Sequence, residues 1–133
     1  MKIKGLLIDF DEVLVDSTRA YMKATNIALN RSKYFCVPKE DVREFSLEIA
    51  RRLDQGVPRD RILEGMTPIT PEKTAVFLDI WLQIWNVTCL WEIELMPNTF
   101  KILNDLSKRF PLALVTLRYI KRSEIEEQLK RLI

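Results

Sequence analysis

The stretch KGLLIDFDEVLVDS, Lys4 to Ser17, sets two carboxylates, Asp9 and Asp11, one residue apart directly after Leu6, Leu7 and Ile8. Two carboxylates that close repel each other and are costly to bury unless a proton or a cation lies between them. Magnesium suits such a place, because it is a hard ion that takes oxygen ligands and keeps water in its shell. An aspartate beside it can attack a phosphoryl group and become an aspartyl phosphate. The second aspartate can protonate the leaving oxygen and then activate water. The plainer alternative is that both acids cap a turn, since Asp hydrogen-bonds its own backbone. A calcium loop fails, because Val13 and Leu14 stand where a ligand and a glycine are needed. A dinucleotide fingerprint fails because the chain has 3 glycines, none clustered. Histidine is absent, which removes Ser-His and Cys-His nucleophiles and most zinc sites.

The acids need an element that delivers them together. Residues 2–9 read as a strand, and residues two apart on a strand share a face. Its apolar run is continuous, which predicts cover on both faces, as in a parallel sheet. The carboxyl end of such a strand opens on the ligand crevice. A helix follows from Asp16 and Ser17, with Tyr21, Ala24, Ala28 and Leu29 on one face. After Pro38, Val42, Phe45, Ile49 and Leu53 predict a second helix stopped by Gly56. VPRDRILEGM reads as a turn and a short helix. Thr70 caps a third helix with Pro71 in its first turn; it carries Val76, Phe77, Ile80, Trp81, Ile84 and Trp85, and the aromatics among them serve as packing anchors. Pro97 and Asn98 open a helix with Phe100, Leu103, Leu106 and Phe110 inward, ended by Pro111. Leu112–Thr116 is a second buried strand. Ser123 and Glu126 predict a capping box for a last helix carrying Ile125, Leu129 and Leu132. The two ends thus read as α/β, and the middle as a helical insertion.

Composition narrows the partners. The chain has 133 residues with 47% apolar, enough for a core. Lys plus Arg is 21 and Asp plus Glu is 19, a net +2 too balanced to argue for nucleic acid. In RYIKRSEIEEQLKRL the acids interleave the bases, which argues the same way. No apolar run approaches the roughly 18 residues of a membrane span. Acids interrupt the first apolar run too early for a signal peptide. Cys36 and Cys89 are far apart without CxxC spacing and read as core or surface thiols. These features predict a cytoplasmic protein with no nucleic-acid or membrane partner.

LLIDFDEVLVDS resembles the first signature of the haloacid dehalogenase superfamily, in its phosphoglycolate-phosphatase-like branch, through Asp9, Phe10, Asp11, Val13, Leu14, Asp16 and Ser17. PLALVTLR resembles the second, with Thr116 closing the strand, and MPNTFKILNDLSKRFPLALVT resembles the proline-led helix before it. The resemblance implies an α/β fold: a partial Rossmann-like parallel-sheet core from residues 1–17 and 96–133, with an inserted helical cap over 18–95. It implies Asp9 as nucleophile and magnesium ligand. It implies Asp11 as general acid/base that also binds magnesium through its backbone carbonyl, and Thr116 as a hydroxyl on the transferring phosphoryl oxygen. The implied activity is hydrolysis of a small phosphorylated metabolite through an aspartyl phosphate. Glu12 departs from the glycine common at that position.

The family also uses a later lysine and a further acidic pair, and nothing after Thr116 matches them, so the chain reads as truncated. Lys121, Lys130, Glu124, Glu126 and Glu127 read as the polar face of the last helix. The outer edge of Leu6–Asp9 is then unpaired, which predicts a homo-oligomer, or a partner chain supplying the missing core strands. The alternative function is a non-catalytic relative acting as a homodimer or partner-binding module.

Overall fold

The computed structural model describes residues 2–89, 91–116 and 122–132. The chain divides into two compact units, one of Met1–Ser17 with Ile93–Ile133 and one of Thr18–Glu92.

The first unit holds β1 (Leu6–Asp9), β2 (Val15–Asp16), β3 (Glu94–Leu95), α4 (Thr99–Ser107), β4 (Leu112–Val115) and α5 (Arg122–Leu132). β1 pairs in parallel with β4, Leu6 opposite Leu112 through Asp9 opposite Val115. The helix between them makes the parallel return possible. β2 pairs antiparallel with β3. Gly5 lies tight against the incoming strand: a Cβ there would come to 3.2 Å from the Pro111 carbonyl oxygen. Leu6, Ile8, Leu112 and Leu114 are half-buried on one face, where an apolar hollow of about 370 Å³ is lined among others by Ile8, Leu14, Leu103, Leu114 and Leu129.

The opposite face corrects the expectation of cover on both sides. Leu7 is 79% exposed and Val115 46% exposed. Among the described residues the sheet has two strands, and helices of this unit leave that face open. Phe100, expected inward, is 60% exposed, because Thr99 rather than Phe100 turns into the unit and donates from Oγ1 to the Leu14 carbonyl at 3.2 Å. The Ser123–Glu126 box is also replaced. The helix already includes Arg122, whose Nε donates to Glu126 at 2.6 Å. Lys130 is exposed, and Lys121 lies outside the described residues.

The second unit holds α1 (Thr18–Ser32), α2 (Val42–Asp54) and α3 (Pro71–Thr88). Thr70 caps α3 by accepting from the Lys73 amide at 3.3 Å, and Gly56 ends the α2 segment at φ 74°. The core gathers Tyr21, Ala24, Ala28, Ile49, Ile62, Leu63, Phe77, Leu78 and Trp81. The aromatics Phe77 and Trp81 carry the packing of that helix, while Val76 is 45% exposed. A buried polar chain crosses the core. Trp81 Nε1 donates to Thr25 Oγ1 at 2.9 Å, and Ser46 Oγ lies 2.7 Å from Thr25 and 2.6 Å from the Val42 carbonyl. A carbonyl only accepts, so the Ser46 proton goes to Val42 and the Thr25 proton goes to Ser46. Each donor is thereby used.

On the surface of α2, Glu48 accepts from both Arg51 and Arg52, and these two guanidinium groups hold its carboxyl down at about 2 against an ordinary 4.5. Arg52 also donates to the Ile62 and Glu64 carbonyls at 2.9 and 2.6 Å. A carboxyl held low when folded stabilises the fold above its unfolded value, and that contribution fades as protons bind. Stability from Glu48 is therefore expected to be complete above pH 4.5 and to decline towards pH 2. An NMR titration of Glu48 should give a midpoint near 2, and Glu48→Gln should flatten this part of the acid profile; a midpoint near 4.5 would contradict the pairing.

Candidate functional site

β1 ends at Asp9, and the chain then folds back on itself. Phe10 is fully buried, and its carbonyl accepts from the Leu14 and Val15 amides at 3.0 and 3.2 Å. The Glu12 amide returns to the Val15 carbonyl at 2.8 Å. These bonds close a tight turn from Phe10 to Val15. The Met96 amide holds it from outside by donating to the Leu14 carbonyl at 2.8 Å. Phe10 and Leu14 anchor the turn in the apolar interior, so the intervening polar residues are presented rather than buried.

The two acids have different supports. Asp9 is exposed, and its Oδ1 accepts from the Phe10 amide at 2.8 Å. Asp11 is half-buried, and its Oδ1 accepts from Ser17 Oγ at 2.7 Å. Ser17 is fully buried, and its amide donates to Glu12 Oε1 at 3.0 Å. Asp11 leaves the strand and enters the turn, making an isolated bridge to Val15. The simple strand rule that places residues two apart on one face therefore does not apply to this pair, because the strand stops at Asp9. Thr116 follows directly on β4. Since Asp9 pairs with Val115, Thr116 and Asp9 leave the sheet at the same end. None of Asp9, Asp11 and Thr116 lines the apolar hollow.

Sequence reasoning gave Ser17 no role beside Asp11 and left the backbone of Glu12 unread. Ser17 was legible as a hydroxyl six residues after Asp11, but only the turn shows that it reaches Asp11. Glu12 sits at φ 60°, in the left-handed region. That conformation costs an L-residue roughly 1–2 kcal/mol and suits glycine. Its carboxylate holds the Ser17 amide in partial return. Glu12→Ala keeps the strained backbone and loses that bond, and is expected to destabilise by about 1 kcal/mol in urea unfolding. Glu12→Gly loses the bond and relieves the backbone, and should come out near neutral. Equal losses in the two variants would rule out backbone strain.

The donor set at this end of the sheet is all oxygen, with neither histidine nor cysteine in it. The Asp9 carboxylate and the Asp11 backbone carbonyl are the hard oxygen donors that magnesium takes from a protein when substrate phosphate and water complete its shell. Among the described residues no third Asp, Glu, His or Cys joins them in a metal-holding group. The residues present therefore fit magnesium as a partial shell.

A parallel β–α–β sheet with acids at the carboxyl end of its first strand and a hydroxyl at the end of the second defines a partial Rossmann-like α/β core. The family model of haloacid dehalogenase-like hydrolases matches residues 6–133, and the chain belongs to that family. Comparison with curated proteins gives no match. Among solved structures, the fold is similar to that of a haloacid dehalogenase-like hydrolase from Streptococcus pneumoniae, at 20% identity and TM-score 0.70, over 98% of this chain and 56% of that one. It is similar to a predicted phosphoglycolate phosphatase from Haemophilus somnus, at 17% identity and TM-score 0.56, over 96% and 56% of the two chains. It is also similar to a family hydrolase from Deinococcus radiodurans with bound phosphate and sodium, at 17% identity and TM-score 0.56, over 97% and 52%. The chain spans a little over half the length of these structures.

Proposed function

We propose that this chain carries the phosphoryl-transfer site of a magnesium-dependent phosphatase acting on a small phosphorylated metabolite. The observation that carries this reading is the β1–β4 register, which releases Asp9 and Thr116 from the same end of the sheet, with Asp11 in the turn just beyond.

Asp9 through its carboxylate and Asp11 through its backbone carbonyl would hold the magnesium ion, which when bound would polarise a phosphoryl oxygen and offset its charge. An Asp9 carboxylate oxygen attacks phosphorus, and the bond from phosphorus to the ester oxygen breaks. Asp11, protonated, passes its proton to that leaving oxygen. Asp11, now a carboxylate, takes a proton from water as the water attacks the aspartyl phosphate, releasing inorganic phosphate and restoring Asp9. The Ser17 hydroxyl, donating to Asp11 Oδ1, fixes which way that carboxyl turns. The Thr116 hydroxyl donates to a phosphoryl oxygen, where positioning and charge stabilisation supply most of the acceleration. Cys36 and Cys89, far apart in sequence and without CxxC spacing, suit a reducing, cytoplasmic setting.

The test is phosphate release from p-nitrophenyl phosphate, with and without magnesium. Release that requires magnesium supports the reading. No release at any magnesium concentration removes it, and leaves the second reading, a non-catalytic relative that works by pairing. That second reading is favoured by the outer edge of β1, which no strand meets among the described residues.

A further inference from the structure

The hydrogen-bond parity of β1 says what its outer edge can accept. The Leu6 amide donates to the Pro111 carbonyl at 2.9 Å, and Leu6 and Ile8 stand opposite Leu112 and Leu114. In a parallel pair, alternate residues turn both main-chain groups towards the neighbour. Leu6 and Ile8 therefore face β4, and Gly5, Leu7 and Asp9 direct their amides and carbonyls outward. Among the described residues no strand meets that edge. The Leu7 side chain beside it is 79% exposed, and Ile3 is 57% exposed.

We propose that this edge pairs antiparallel with β1 of a second copy of the chain, about a two-fold axis through Leu7. Residues directly opposite in an antiparallel pair share a face, so a two-fold can pass through a residue but not between two. Centring on Leu7 sets Leu7 against Leu7 and Gly5 against Asp9, and uses all three outward residues. Moving the axis to Gly5 sets Leu7 against Ile3, outside the strand. Moving it to Asp9 sets Leu7 against Asp11, which is committed to the turn. Charge favours the same arrangement. The strand is basic before it, at Lys2 and Lys4, and acidic after it, at Asp9 and Asp11. Antiparallel order lays the basic end of each copy along the acidic end of the other, whereas parallel order sets like against like. The pair also turns a marginal two-stranded sheet into four strands, β4–β1–β1–β4, and covers both Leu7 side chains.

Solution mass on the full chain tests this independently of any activity. The expected mass is twice the 15.7 kDa of one chain. Leu7→Lys sets two ammonium groups across the axis and should weaken dimerisation by at least about tenfold, and Leu7→Glu should do the same. An equimolar mixture of the two variants should recover the dimer as a mixed pair. The axis also makes Leu6 and Ile8 of different copies a close, non-hydrogen-bonded pair. A sample mixed from differently labelled chains should then show an intermolecular contact between their Hα protons. A wild-type chain that stays monomeric at ~100 µM, a concentration at which a pair of about micromolar affinity is largely formed, overturns the proposal. So does a dimer without the Leu6–Ile8 contact, or a variant mixture that stays monomeric.

Discussion

Replacing Asp9 with asparagine is expected to lower magnesium-dependent phosphate release by about 10³-fold or more, because the nucleophile is lost outright. The substitution isolates chemistry from structure. Asp9 Oδ1 accepts the Phe10 amide, and an asparagine Oδ1 can accept the same bond, so the turn should survive. Thermal melts of the two proteins should therefore coincide while their rates diverge. Asp11→Asn removes the acid/base instead and is expected to cost about 10²–10⁴-fold. Its Oδ1 can still accept from Ser17 Oγ. A wild-type rate in Asp9→Asn would place the nucleophile elsewhere, and the assignment of this strand end as the reacting centre would fail.

The largest stability effect is expected at Trp81 in the helical unit. Trp81 is 1% exposed and lies in stacked contact with Tyr21 and Trp85, at ring-centroid distances of 6.0 and 6.1 Å. Trp81→Ala should destabilise by about 3–5 kcal/mol, since it opens a cavity among Phe77, Leu78 and Ile49. It also removes the donor to Thr25 Oγ1, at the head of the buried chain through Ser46 to Val42. Trp81→Phe keeps most of the volume and loses only that donor, and should cost about 1–2 kcal/mol. The difference between the two variants apportions packing and hydrogen bonding. Urea unfolding followed by far-ultraviolet circular dichroism measures both without relying on the altered fluorophore. Similar losses in Ala and Phe variants would show that the polar chain, and not the packing, holds the site.

Much of the helical unit was legible because local rules sufficed. Thr70 and Pro71 start α3, Gly56 stops the α2 segment in the left-handed region, and Phe77 and Trp81 lie on the buried face that their spacing indicated. The apolar runs Leu6–Asp9 and Leu112–Val115 are both strands, and they pair with each other in parallel. The failures were of another kind. A continuous apolar run says that a strand prefers cover on two faces, but not whether the chain supplies it. Leu7 and Val115 are left open on one face. Periodicity likewise assigned Phe100 inward, where Thr99 turns into the unit instead and leaves Phe100 60% exposed.

At the site itself, residue types and order alone established the chemical vocabulary: two carboxylates after an apolar strand, no histidine, and a later strand closing on Thr116. Those facts depend on the covalent chain. Folding settled the rest, because long-range pairing decides which atoms meet. The β1–β4 register set Asp9 and Thr116 at one end of the sheet, and the Phe10–Val15 turn carried Asp11 off the strand to the Ser17 hydroxyl. The same turn drove Glu12 into a left-handed backbone that its side chain partly offsets.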